Sequence, residues 1–152
     1  MNKEKIRWCV FQKRGVNLTE LKPHLSKAYM EEAEETLENV FSAKGKWKTI
    51  TAYYACYNAL YSLLMKCGIS SEIHDCTLEL MHLFNFSEEN KKYMIQLKND
   101  RIQAQYYLKK ILLKDEEEVK KFVITCKGIS SQLHSDAIEK MREEIRSLQK
   151  TA

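Results

Sequence analysis

Glycine and proline are scarce in this chain, which has four glycines and one proline among 152 residues. Average usage of the two residues would give about 12%, or roughly 18 residues. β-Sandwiches, glycine-rich phosphate loops and proline-rich linkers all need frequent turns, so the scarcity argues against each of these classes. The sequence therefore predicts a chain of few, long helices.

The chain also lacks a strong excess of charge of either sign. It has 25 Lys and Arg against 21 Asp and Glu, a formal charge of +4. Such a mixed surface differs from that of a dedicated nucleic-acid coat protein, although it permits weak contact with RNA or DNA. With 44% hydrophobic and 30% charged residues, the chain can bury a core and is not a disordered tail.

Close cysteine pairs are absent as well. The cysteines are odd in number and scattered, which disfavours both a disulfide framework and a zinc knuckle; they are Cys9, Cys56, Cys67, Cys76 and Cys126. His24, His82 and His134 lie on three different predicted helices without ligand spacing, so no metal and no cofactor is predicted.

Long apolar runs are missing too, because none approaches the roughly 20 residues of a membrane span. Charges interrupt every apolar run of the N-terminal segment, unlike in a signal peptide. The sequence therefore predicts a cytoplasmic protein that does not act with membranes.

The chain divides into two parts of different character. Residues 1–18 form a basic lead without helical periodicity, which predicts an arm or short extended segment. We expect it to pack on the main body, because Trp8 and Phe11 would be costly to expose. Residues 19–152 are predicted to form a single helical domain.

Apolar residues of that domain recur at spacings of three and four, which predicts five helices. They run from Pro23 to the link at 44–46, from about Trp47 to Cys67, from about His74 to Phe84, from Ser87 through Ile111, and from about Glu116 to Leu148. Short links between long helices make antiparallel neighbours. The predicted fold class is all-α: an antiparallel up-and-down helical bundle of about five helices with a four-helix-bundle-like core.

Two features of these helices leave alternatives open. The second helix is apolar on nearly every side, so it is either the central helix or presents a second apolar face to another subunit. The tyrosines of this helix also have two interpretations: packing in the core and at a dimer interface, or base stacking. Gly128 inside the last helix indicates close packing, a kink, or a split into two helices.

Arg101 stands in the middle of an apolar stripe on the fourth helix, which reads Met94, Leu97, Arg101, Ala104, Leu108 and Ile111. One interpretation is a buried or interfacial arginine paired with a carboxylate, for which Asp75 and Asp100 are candidates. The other is a contact to a phosphate or nucleotide.

Helix geometry restricts the partners that Arg101 can have on its own helix. At 100° per residue Gln105 lies on the same face, whereas Tyr106 and Tyr107 point roughly 140° and 120° away. We therefore expect a contact between Arg101 and either tyrosine to need a second subunit or a local bend.

Several segments resemble the HEPN (higher eukaryotes and prokaryotes nucleotide-binding) domain family, and more closely its branch of stand-alone prokaryotic proteins. The resemblance covers nearly the whole chain and depends on the order and spacing of the segments. Its strongest parts are AYYACY at 52–57, LY at 60–61, KCGI at 66–69 and EIHDCT at 72–77; weaker parts are RWC at 7–9, QKRG at 12–15, LSKAY at 25–29, AE at 33–34, DR at 100–101 and QYY at 105–107.

The resemblance implies an antiparallel helical bundle, commonly dimeric, often paired with a minimal nucleotidyltransferase as a toxin–antitoxin system. Active members of the family are metal-independent ribonucleases that use an Arg, a spacer of four to six residues, and a His. Arg101 occupies the arginine position, but Tyr106, Tyr107 and Leu108 stand where the histidine belongs. Tyrosine, with a pKa near 10, is a poor base at neutral pH.

The sequence thus predicts a HEPN-like module, a homodimer that binds a nucleotide, RNA or a partner nucleotidyltransferase. Its candidate ligand-binding residues are Arg101, Asp100, Gln105, Tyr106, Tyr107 and His74, of which His74 has the alternative role of a packing histidine at a helix start. One alternative is a ribonuclease toxin that uses Arg101 with Tyr106 or Tyr107, or with a displaced histidine of the other subunit. A second alternative is a helical scaffold for self-association.

Overall fold

The computed structural model describes residues 2–150 and contains seven α-helices in that range. The elements are α1 (Lys3–Phe11), β1 (Val16–Leu18), α2 (Pro23–Ser42), α3 (Lys46–Cys67), β2 (Ile69–Ser71), α4 (His74–Glu79) with a 3-10 turn (Leu80–Leu83), α5 (Glu88–Tyr106), α6 (Glu116–Ser131) and α7 (Ser135–Lys150). The predicted all-α class is confirmed, with seven helices rather than five. Within the described range, no helix is both long and apolar enough to pass through a lipid bilayer.

The central element is α3, which is buried on nearly all sides. It packs against α2, α5 and α6, and these four helices form the core of the bundle. Ser26 near the start of α2 and Ser62 near the end of α3 each donate to the other's carbonyl, at 2.8 and 2.7 Å. The two helices therefore run antiparallel, and α3 takes the central role that its all-round apolar sequence allowed.

The α3 helix ends at Gly68, where the chain turns back at a φ of 66°. A Cβ at this position would lie 2.5 Å from Nη1 of Arg142 and 2.7 Å from the Thr19 carbonyl oxygen. Nη1 of Arg142 donates to the carbonyls of Thr19, Cys67 and Gly68 at 2.9 to 3.0 Å. The guanidinium of Arg142 on α7 thus donates hydrogen bonds to carbonyls at the end of α3, which have no partners within the helix.

The last predicted helix is in fact two helices, so a single helix from Glu116 to Leu148 is wrong. The break lies at residues 132–134, between α6 and α7, and not at Gly128. Leu133 in the link is buried, and its N–H bonds the Ser130 carbonyl at 3.2 Å. Because Leu133 is apolar and anchors the turn, the hydrophobic periodicity runs through the break and conceals it.

The N-terminal segment is helical where the sequence predicts an arm or extended segment. In α1, Ile6, Cys9 and Val10 are buried, whereas Trp8 and Phe11 are about half exposed. The segment packs on the body as expected, but through a different face. Three buried residues among the nine of α1 are too few to give a visible hydrophobic periodicity in the sequence.

The strand β1 follows α1 and pairs antiparallel with β2, with Val16 opposite Ser71. The stretch at 6–11, which the sequence offered as the extended part of the segment, lies instead within α1.

A disulfide joins Cys9 of α1 to Cys76 of α4, with their Cα atoms 5.7 Å apart. The cysteine spacing disfavoured a disulfide framework and did not reveal this single bond, because its two cysteines are separated by 67 positions. Cys56, Cys67 and Cys126 are free and buried. Disulfides are rare in a reducing cytoplasm, so the bond does not support the predicted location.

Candidate functional site

Arg101 is a buried residue on the inner face of α5, with 6% of its surface exposed. This helix begins after Ser87, as predicted, and Ser87 forms a capping box with Asn90. Met94, Leu97 and Ala104 are buried on the same stripe, which confirms that part of the prediction. The helix ends at Tyr106, so the prediction that the stripe continues in helical form to Leu108 and Ile111 is wrong.

Three tyrosine rings surround the guanidinium of Arg101. Its Cζ lies 4.5 Å from the ring centroid of Tyr53, and 5.7 Å from those of Tyr54 and Tyr106. Tyr53 and Tyr54 belong to the third turn of α3, a helix that packs against α5. We call these three rings with Arg101 the arginine cage.

The contact with Tyr106 corrects the expectation that this tyrosine turns away from Arg101. The two side chains start in different directions on the helix, but both are long enough for the ring and the guanidinium to meet. With 65% of its surface exposed, Tyr106 is the part of the arginine cage that faces solvent.

Arg101 has no carboxylate partner among residues 2–150. Nη1 of Arg101 donates a hydrogen bond to Oε1 of Gln105 at 3.4 Å, and the buried Nε has no acceptor in that range. Asp75 pairs with Lys98, and Asp100 accepts a hydrogen bond from Gln96 at 2.8 Å. No carboxylate of the described chain therefore pairs with Arg101, and the pairing of an interfacial Arg101 with a carboxylate of a second subunit stays a prediction.

His74, the first residue of α4, is the second polar group at the arginine cage. Its Nδ1 lies 2.7 Å from the hydroxyl of Tyr53, and its ring stacks on Tyr57 with centroids 4.2 Å apart. Burial, and then the positive charge of Arg101, lowers the pKa of His74 below its usual 6.5, while Asp75 acts in the opposite direction. His74 is therefore an uncharged imidazole at neutral pH.

The tyrosines around His74 are also uncharged at neutral pH. Burial raises the pKa of Tyr53 well above its usual 10, although Arg101 opposes the shift. Burial raises the pKa of Tyr57 to about 12, and the hydrogen bond between the hydroxyls of Tyr57 and Thr77 opposes this shift. Arg101 is thus a lone cation surrounded by neutral, polarisable rings.

Four of the six predicted site residues come together here, and two do not. Arg101, Gln105, Tyr106 and His74 lie in or against the arginine cage. Asp100 accepts a hydrogen bond from Gln96. Tyr107 is exposed and follows the last residue of α5, and no cation–π contact or hydrogen bond joins it to Arg101.

Sequence reasoning assigned Tyr53 and Tyr54 to packing or base stacking and missed their contact with Arg101. The available signal was two adjacent tyrosines on an all-round apolar helix. Nothing in the sequence shows which face of that helix meets α5.

The arrangement suits an anion. A guanidinium presents up to five donors in a planar fork that matches phosphate and carboxylate oxygens, and most of these donors are unused in Arg101. No group of three or more His, Cys, Asp or Glu residues able to hold a metal ion is found in the described part of the chain. No known family model matches this sequence, and no curated protein is significantly similar to it.

Proposed function

We propose that this protein is a HEPN-like helical module that binds the phosphate group of a nucleotide or of RNA through Arg101. The observation that carries the proposal is a buried arginine without a carboxylate partner, with an Nε that has no acceptor. An unpaired buried charge is costly to keep. A bound phosphate would supply the missing negative charge and acceptors in one group.

Binding would proceed past the exposed ring of Tyr106, which covers the guanidinium on the solvent side. The phosphate would accept hydrogen bonds from Nε and one Nη of Arg101, the two donors that make a bidentate pair. The rings of Tyr106 and Tyr54 could then stack on a base, a contact that tolerates any sequence. His74, neutral and oriented by Tyr53, would offer one further hydrogen bond.

The test is binding of a fluorescein-labelled single-stranded RNA and of AMP to wild-type protein and two variants. We expect Arg101→Met to weaken both ligands at least tenfold, since it removes the charge and the fork while keeping the length of the side chain. The affinity of Arg101→Lys should lie between those of wild type and Arg101→Met, because lysine retains the charge but not the fork of donors. The control is Lys92→Met, an exposed lysine elsewhere on α5; equal losses in Arg101→Met and the control would refute the assignment of the site.

A second candidate function, metal-independent ribonuclease, is favoured by one observation: His74 of the same chain lies at the arginine cage. For His74 to act as the base, its Nδ1 must donate to the Tyr53 oxygen, so that Nε2 has a free lone pair for the 2′-hydroxyl proton. Arg101 would then stabilise the charge that develops on the phosphorus oxygens. The proposed binding function does not need this tautomer.

Cleavage of a labelled RNA by purified protein separates the two functions. Under the binding proposal the RNA remains intact in the presence of wild-type protein. Robust cleavage that Arg101→Met and His74→Phe both abolish would establish the ribonuclease instead.

We also propose that the protein is a homodimer with a minimal nucleotidyltransferase as its partner in a toxin–antitoxin pair, and that it works in the cytoplasm. Sedimentation at micromolar concentration should show a dimer, and a monomer would contradict this. A short nucleotidyltransferase reading frame beside the gene is the expected neighbour. A dimer that binds no RNA, nucleotide or partner would instead identify a self-association scaffold.

A further inference from the structure

A cavity of about 420 Å³ lies at one end of the bundle, between the first turn of α3 and the segment that follows α5. Its volume is in the range of small-molecule sites, about 300 to 1,000 Å³. None of its lining residues belongs to the arginine cage. The lining is formed by Gly45, Lys46, Ala104, Leu108, Lys109, Lys110, Ile111 and Leu112.

The charge of this lining has one sign. Lys46, Lys109 and Lys110 contribute three ammonium groups, and no Asp or Glu is present. None of the three forms an ion pair with a residue in the range 2–150. Lys46 instead lies over the ring of Trp47, 5.3 Å from its centroid. The lining therefore has three positive charges without a paired carboxylate, a charge pattern that favours an anion.

The remaining side chains of the lining are aliphatic. Leu108 and Leu112 expose 71% and 81% of their surface, so the structure leaves apolar area here that a ligand could cover. Leu108 also has a φ of 53°, and in the described chain no other residue except glycine has a positive φ. Leu108 directly follows the C-cap residue of α5, and a left-handed residue at this position is a common way for a helix to end.

We infer that this cavity binds an amphiphilic anion: an alkyl chain with a carboxylate or phosphate head group. The chain would lie on Leu108, Ile111 and Leu112, and the head group would lie among the three lysines. A nucleotide fits the lysines but not the walls, because apart from the lysines no side chain there donates or accepts a hydrogen bond. The polar edge of a base would find no side-chain partner at these walls, whereas an alkyl chain needs none.

Isothermal titration calorimetry tests the ligand class on the full chain carrying Arg101→Met, because that substitution removes the phosphate site proposed at the arginine cage. The probes are decanoate and decyl phosphate below their aggregation concentrations, with decanol, inorganic phosphate and AMP for comparison. We expect one molecule of decanoate or decyl phosphate to bind per chain, and each comparison probe to bind at least tenfold more weakly. Preferential binding of AMP, or binding only to anionic lipid vesicles and not to the monomeric amphiphiles, would overturn the inference.

Two variants locate the site. Combining Lys109→Gln with Lys110→Gln should weaken decanoate at least tenfold, whereas the matched control that combines Lys92→Gln with Lys140→Gln removes the same charge elsewhere and should not. Leu112→Ser changes a highly exposed residue, so the fold should tolerate it while the affinity for decanoate falls. Equal affinities in the cavity variants and the control would place decanoate elsewhere, and would leave the assignment of Arg101 to phosphate binding unaffected.

Discussion

At the scale of single residues, Arg101 lowers the free energy of unfolding of the protein. A buried guanidinium without an anionic partner loses hydration that three tyrosine rings replace only in part, since a cation–π contact contributes about 0.5 to 2 kcal/mol. We therefore predict that Arg101→Met raises the free energy of unfolding by about 1 kcal/mol, because methionine fills similar space without an unpaired donor. Urea denaturation measures the change.

The comparison variant for this prediction is Tyr54→Phe, which preserves the cage and its packing. A loss of more than about 2 kcal/mol in Arg101→Met would mean that the arginine holds α5 against α3 and is not reserved for a ligand.

His74 makes stability depend on pH. Burial lowers the pKa of His74, and the positive charges of Arg101 and, to a smaller extent, Lys98 lower it further. The negative charge of Asp75 opposes this shift. As the pH falls below about 6.5, the unfolded chain takes up a proton that the folded chain does not, so the free energy of unfolding decreases. We predict that the decrease between about pH 7.5 and pH 5.5 is smaller in His74→Phe than in wild type.

The pKa of His82 is also lowered, mainly by burial, so a His82→Gln variant serves as the control for that measurement. The His82→Gln variant should retain the contribution of His74 to the pH dependence of the free energy of unfolding. An unchanged pH dependence in His74→Phe would contradict the prediction.

At the scale of elements, two glycines in or beside helices should respond in opposite ways to the same substitution. A Cβ on Gly128 in α6 would meet nothing within 4 Å, whereas one on Gly68 would meet Arg142 and Thr19 at a positive φ. We predict that Gly128→Ala raises the free energy of unfolding by about 1 kcal/mol, and that Gly68→Ala lowers it by more than that. Thermal unfolding by circular dichroism compares them; stabilisation by both substitutions would show that the end of α3 is not restrained.

Much of the helical architecture follows from the sequence, because α2, α3 and α5 have many apolar residues at helical spacing and recognisable ends at Pro23, Gly68 and Ser87. The helix α1 was missed because its buried face has only three residues. The break between α6 and α7 was missed because Leu133 keeps the period across it.

The candidate site was predictable only in part. Arg101 is visible as a charge within an apolar stripe, and this is a local signal. Its neighbours Tyr53 and His74 come from other helices, so their approach depends on how α3, α4 and α5 pack. Spacing within one segment cannot encode that arrangement.

At the scale of the whole molecule, the Cys9–Cys76 disulfide joins the N-terminal helix to the body. It closes a loop over a sequence separation of 67, for which the chain-entropy estimate is about 4 kcal/mol. We predict that a dithiol reductant lowers the free energy of unfolding by roughly this amount. The double variant Cys9→Ala, Cys76→Ala should have the lower stability from the start and should not respond to reductant.

A count of thiols checks the same bond independently. Unfolded, unreduced protein should present three reactive thiols, and reduced protein five. In the native state the free thiols should react slowly, since burial raises the pKa of Cys67 to about 11 and that of Cys56 further. Five reactive thiols before reduction would show that the bond is not formed.

The same bond also determines how the molecule carries mechanical load. A force applied at the two ends of the chain would pass from Cys9 through the sulfur atoms to Cys76 and would bypass β1, α2, α3 and β2. The central helix would therefore remain under no tension while α5, α6 and α7 are pulled apart. Reduction would add the bypassed length, about 230 Å of extended chain at roughly 3.5 Å per residue, and would expose α3 to the force for the first time.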